Sequence, residues 1–89
     1  MQIDPECAAE VLVRLRRARG QIDGIMSMIE QGRECSDIVT QMAAVSRALD
    51  RAGFKLVASG LEQCLLAESR GEEPGMSRDR LEKLFLALA

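Results

Sequence analysis

At 89 residues, with a formal charge of −2 and a sequence pI of about 5.1, the chain is sized for one small domain and has no global basic field to draw it onto nucleic acid. It contains no histidine, tryptophan or tyrosine and only two phenylalanines, which removes His-based metal sites and acid–base catalysis and leaves no aromatic platform for stacking single-stranded bases. The hydrophobic 47% of the chain is dominated by Leu, Ile, Val, Ala and Met, a composition that favours helices over a β-sandwich or barrel.

The opening M-Q-I-D-P-E-C has no basic region leading into an apolar run, so no secretory signal is read there. No apolar stretch approaches the roughly 18–20 residues of a membrane span. A cytoplasmic setting with reduced thiols is expected. Three cysteines cannot all pair within one chain, which makes a disulfide framework the weaker reading.

The first helix is predicted over about residues 5–31, with Asp4 as N-cap and Pro5 at the first helical position. Ala8, Val11, Leu15, Ala18, Ile22, Ile25 and Ile29 recur in alternating steps of three and four, the pattern of a heptad seam. Gly32 is placed to end the helix in the left-handed conformation. Gly20 and Gly24 inside it would each cost about 1 kcal/mol relative to Ala, which points to a close backbone approach.

The second helix is predicted over about residues 35–68. Ile38, Met42, Val45, Leu49, Ala52 and Leu56 continue the same rhythm, with Cys35 at the head of the stripe. Phe54, Val57, Leu61 and Cys64 form a second apolar face, and two faces imply two packing partners. Residues 69–76 read as a loop, and Ser77 caps a short third helix over about residues 77–88 with Leu81, Leu84, Phe85 and Leu88 on one side. The expected fold is therefore a single all-α, three-helix protomer spanning residues 1–89. The second helix would be about 50 Å long, far larger than the radius of gyration of about 12 Å of a compact chain of this size. An antiparallel four-helix bundle made from two hairpins resolves this.

Cys35 and Cys64 are the candidate chemical residues. On one continuous helix they lie about 43 Å apart, whereas a disulfide needs Cα atoms within about 7 Å. They cannot meet within one chain, but in an antiparallel dimer the start of one second helix lies beside the end of the other, so chemistry joining them crosses the subunit interface. Cys35 sits at a helix N-terminus, where amide donors favour a thiolate, with Glu34 working against it. Both cysteines can equally be small buried hydrophobes, a common fate of free Cys. Cys7, off the seam near the terminus, is read as incidental.

Positive charge is concentrated at Arg14, Arg16, Arg17 and Arg19 on the first helix and in the row Arg47, Arg51, Lys55 on the second. A solvated, salt-bridged surface is the plain reading. Phosphate binding is the sharper one, without a helix-turn-helix pair.

The blocks R-L-R-R-A-R-G-Q-I at 14–22, G-R-E-C-S-D-I-V-T-Q-M-A-A-V at 32–45 and L-E-Q-C at 61–64 resemble the copper-sensitive-operon repressor (CsoR/RcnR-like) family of small helical bacterial regulators, across nearly the whole chain. The resemblance implies a dimeric antiparallel bundle, usually a dimer of dimers, that binds double-stranded operator DNA and releases it when an inducer occupies a two-cysteine site. It matches Cys35 and Cys64 to the sensing cysteines and Arg14 and Arg51 to DNA-binding positions; Arg17, which shares a helix face with Arg14, is expected to contact phosphates beside them. Copper-sensing members carry a histidine where this chain has Gly60, a tyrosine where it has Glu34, and a third-helix glutamate near Lys83.

The histidine-free pair is most similar to the persulfide-sensing (CstR-like) branch, in which sulfane sulfur donors drive an intersubunit Cys35–Cys64′ di- or polysulfide bridge. The implied function is a homotetrameric repressor sensing reactive sulfur species, with no resident cofactor and no enzymatic activity. The alternative is a Cu(I)-responsive repressor that holds the ion through the Cys35 and Cys64 thiolates alone.

Overall fold

The structure, a computed structural model, describes residues 2–89 as three α-helices, with no strand among them: α1 (Pro5–Glu30), α2 (Cys35–Ser69) and α3 (Arg78–Leu88). The all-α class follows the composition. None of the described helices is long and apolar enough to cross a membrane.

Short-range chemistry sets the helix ends. The Asp4 carboxylate accepts from the Cys7 amide at 3.1 Å, and the Ser77 hydroxyl accepts from the Arg80 amide at 3.2 Å, so each satisfies an otherwise orphaned donor. Gly32, at φ +72°, closes α1 with Arg33 N–H donating to Met28 O at 3.0 Å and Gly32 N–H to Ile29 O at 3.1 Å. Gly71, at φ +70°, closes α2 in the same way, with Glu72 N–H to Ala67 O at 2.9 Å and Gly71 N–H to Glu68 O at 3.1 Å. Both are Schellman motifs.

α1 and α2 form an antiparallel hairpin, and α3 folds back against α2 alone. The result is elongated, 58 × 24 × 12 Å, with a radius of gyration of 17.0 Å. A depth of 12 Å is little more than one layer of helices. One layer cannot enclose a core, because α1 and α3 are each covered only by α2 and every helix keeps a face open.

The seam accordingly divides between two faces. On α1 every seventh residue, Val11, Ala18 and Ile25, is buried against α2, where Val45 and Ala52 are buried in turn. The alternate members Leu15, Ile22 and Ile29 on α1, with Met42 and Leu49 on α2, face outward, 41–57% exposed. A single sequence stripe is thus two rows, and small residues (Ala18, Ala52) occupy the hairpin row, where they let the helices approach closely.

The expected close approach at Gly20 and Gly24 is corrected here: nothing lies within 4 Å of a Cβ placed on either. The glycine against which a helix does pack is Gly53, where a Cβ would meet Leu88 Cδ2 at 2.8 Å. Beside it the Phe54 and Phe85 rings sit 5.3 Å apart, tilted by 51°. Leu81 is the buried anchor of α3 at 4% exposure. Leu81→Ala is expected to cost about 2–4 kcal/mol, seen as a lower midpoint in urea at fixed protein concentration.

Candidate functional site

The two candidate thiols occupy opposite ends of α2. Cys35 is its first residue and is exposed, preceded by Glu34, which provides no side-chain cap. Cys64, by contrast, is completely buried. It lies on the face of α2 that α3 covers: Gly60 and Leu61, one turn before it, share surface cavities with Leu81. One turn after it, the Glu68 carboxylate accepts from the Cys64 thiol at 3.7 Å. Glu68 is in turn held by Arg78, the first residue of α3, through Nε at 3.1 Å and through Nη2. A separation of 29 positions along one helix holds the thiols about 43 Å apart, so no single protomer joins them.

Gly60 is buried beside a cavity of about 140 Å³ lined largely by apolar side chains, among them Leu56, Val57, Met76, Leu81 and Leu84. Lys83 is exposed. Among the described residues, no group of three or more Cys, Asp or Glu side chains is arranged to hold a metal ion. Two soft thiolates remain a donor set that suits Cu(I), and only from different protomers.

The basic residues are sorted by the hairpin. Arg14 and Arg17 of α1 line one concavity with Lys55 of α2, and Arg14 lines the adjoining one with Arg51 and Lys55. Arg47 lines neither. The plain reading of a solvated, salt-bridged surface holds for part of this face, where Glu10 engages Lys55. Among the described residues Arg14, Arg17 and Arg51 make no ion pair, whereas Lys55 is engaged by Glu10. The Lys55 ammonium, by hydrogen bond first and charge second, holds the Glu10 carboxyl below the usual carboxylate range. Three uncommitted guanidiniums converging across two helices can meet a row of phosphate oxygens.

Cys7 is half-buried, its thiol donating to the Lys55 carbonyl at 3.7 Å. The residues missed in the sequence are Glu68, Arg78 and Gly53. Glu68 stands four places after Cys64, which puts it on the same helix face. Its partner across the loop and the contact at Gly53 depend on how α3 folds back.

Residues 8–88 match the family described as metal-sensitive transcriptional repressor. The copper-sensing transcriptional repressor CsoR of Mycobacterium ulcerans is 39% identical over 64 residues, which covers 68% of this chain and 55% of that protein. The copper-sensing transcriptional repressor RicR of Mycobacterium tuberculosis is 39% identical over 62 residues, covering 70% and 65%. The copper-sensing transcriptional repressor CsoR of Bacillus subtilis is 34% identical over 56 residues, covering 63% and 55%. The chain therefore spans between about half and two thirds of the length of these relatives. No solved structure matches it.

Proposed function

The chain belongs to the metal-sensitive transcriptional repressor family, and from that premise we propose that it is a DNA-binding repressor that lets go of its operator when sulfane sulfur joins Cys35 of one protomer to Cys64 of another. The observation that carries this is the placement of the two thiols at opposite ends of one 35-residue helix. Antiparallel pairing of two such helices is the arrangement that brings them within bonding distance, twice per dimer.

The reaction balances with the donor as oxidant. The Cys35 thiolate attacks a sulfane sulfur, and the donor leaves as a thiolate or a shortened polysulfide. Cys64′ then attacks the sulfur chain now carried on Cys35 and expels hydrosulfide. When Cys35 carries one added sulfur, attack at Cys35 Sγ leaves a disulfide; when it carries two, attack at the first of them leaves a trisulfide, hydrosulfide departing in each case.

Cu(I) sensing by the same two sulfurs is the second reading. It is favoured by the relatives, whose names describe them as copper-sensing. Both readings use one frame, in which Arg14, Arg17 and Arg51 hold operator phosphates and a link between Cys35 and Cys64′ disfavours the arrangement that holds them. A coupling of about 1–3 kcal/mol per site changes operator affinity by about 5–150-fold.

The frame itself needs a second protomer over the outward row. Ile22→Glu, which places a charge in the middle of that row, is expected to convert the assembly to monomers at micromolar concentration in sedimentation equilibrium and to abolish operator binding. A variant that keeps the wild-type mass in solution would move the interface elsewhere. The experiment for the sensing chemistry is peptide mass spectrometry of the reduced protein after anaerobic reaction with inorganic polysulfide, compared with Cu(I) titration of the same sample.

A further inference from the structure

The Glu68–Arg78 pair has no part in the proposed chemistry, yet it stands directly on it. One oxygen of Glu68 accepts from the Cys64 thiol at 3.7 Å and from Arg78 Nε at 3.1 Å, and the other accepts from Arg78 Nη2. A single carboxylate thus ties a fully buried thiol to the first residue of the helix that covers it. Arg78 feels both groups: the Glu68 hydrogen bond and charge push its pKa up, with a smaller contribution from Cys64. The side chains of the pair are themselves open to water, Arg78 60% and Glu68 39% exposed, so the pair can open without first unpacking a core.

The rest of the seat of α3 is narrow. The helix has 11 residues, packs against α2 only, and buries one side chain, Leu81. Its far end is held by Leu88 over Gly53 and by Phe85 against Phe54, one to three residues from Arg51 and Lys55. One end of α3 therefore covers a candidate sensing thiol and the other abuts the basic face.

We propose that the Glu68–Arg78 pair is the clasp that seats α3 over Cys64, and that unseating α3 is what admits a reagent to that thiol. Its regulatory meaning rests on Cys64 being the second sensing thiol; the clasp itself does not. Cys35, exposed at the other end of α2, reacts without any such step, which orders the chemistry: Cys35 first, Cys64 after α3 lifts.

The test is the rate of N-ethylmaleimide addition to each cysteine of the full-length reduced protein, read by quenched peptide mass spectrometry with Cys35 as internal standard. Glu68→Gln and Arg78→Gln are each expected to speed labelling of Cys64 about two- to fivefold, the range an exposed ion pair supports, with Cys35 unchanged. Their signs are informative. If the pair acted on the thiol through charge alone, loss of the carboxylate would speed labelling and loss of the guanidinium would slow it, and that opposite pattern overturns the clasp.

Gly53→Leu, about 16 Å along α2 from Cys64, is expected to displace Leu88 and speed Cys64 labelling from a distance. It introduces no change of charge and replaces a poor helix former with a good one, so helix loss does not explain a faster rate. The double variant Glu68→Gln with Arg78→Gln is expected to label no faster than either single variant, because both remove one clasp; a double variant whose acceleration is the product of the singles overturns the proposal, as do wild-type rates in both single variants. Failure of polysulfide to release DNA sinks the sensor reading and leaves these rates standing, whereas unchanged rates sink the clasp and leave the sensor reading standing.

Discussion

Cys35→Ala is expected to bind operator DNA within about twofold of the wild type and to lose all response to inorganic polysulfide. Cys35 is exposed at the first position of α2, and the concavities lined by Arg14, Arg17 and Arg51 do not include it. An exposed substitution of this kind changes stability by about 0.5 kcal/mol or less. What it removes is the nucleophile that the proposed reaction requires at its first step.

The wild-type protein, by contrast, should show its operator affinity falling about 5–150-fold on treatment, with an interchain Cys35–Cys64′ peptide that carries zero, one or more extra sulfurs and is reversed by dithiothreitol. Cys64→Ala should stop at a persulfide on Cys35, without the interchain peptide. It should also lose stability in its own right, because Cys64 is fully buried. Release of Cys35→Ala by polysulfide at wild-type efficiency would falsify the sulfur reading. Unmodified thiols after polysulfide, together with tight Cu(I) binding that releases DNA and is abolished in Cys35→Ala, would establish the two-thiolate copper reading in its place.

The parts of the molecule that were readable from the sequence are those set within a few residues. Asp4, Gly32 and Ser77 act as caps because capping is decided by one side chain or one backbone angle next to the helix end. The separation of Cys35 from Cys64 needed only a continuous helix. The division of the apolar seam was not readable, because Val11 and Leu15 are both apolar at heptad positions and periodicity does not say which row the hairpin takes. The hairpin takes the row with Ala18 and leaves the larger Leu15, Ile22 and Ile29 outside, the reverse of a rule that sends the bulkiest residues to the core. The Glu68–Arg78 pair was hidden for a different reason. It depends on the Gly71 turn and on α3 folding back onto α2, and neither is marked at Glu68 itself.

The convergence of the arginines was also out of reach of periodicity, since Arg14 and Arg51 meet only across the hairpin, and it gives the second large effect. Arg51→Ala is expected to lower operator affinity about 100-fold at 0.1 M salt. The proposed dimer would lose two copies of the guanidinium, and a charge-assisted hydrogen bond contributes about 1.5 kcal/mol or more. The slope of log affinity against log salt should become shallower by about 2, because two fewer phosphates are neutralised. Arg47→Ala is the control, one turn away on the same helix and outside both concavities, and should change each quantity far less.

Glu10 supplies a test of opposite sign. Its carboxylate engages Lys55 within this face, and its pKa is depressed by that partner, so it stays charged at neutral pH and is lost only as pH falls below the ordinary carboxylate range. Glu10→Gln removes a negative charge and frees Lys55 for phosphate, so operator affinity should rise and the salt slope steepen. A weaker operator complex in Glu10→Gln, or an unchanged salt slope in Arg51→Ala, would move the DNA-binding face away from these concavities and toward the other arginine pair on α1, Arg16 and Arg19, which the hairpin leaves exposed.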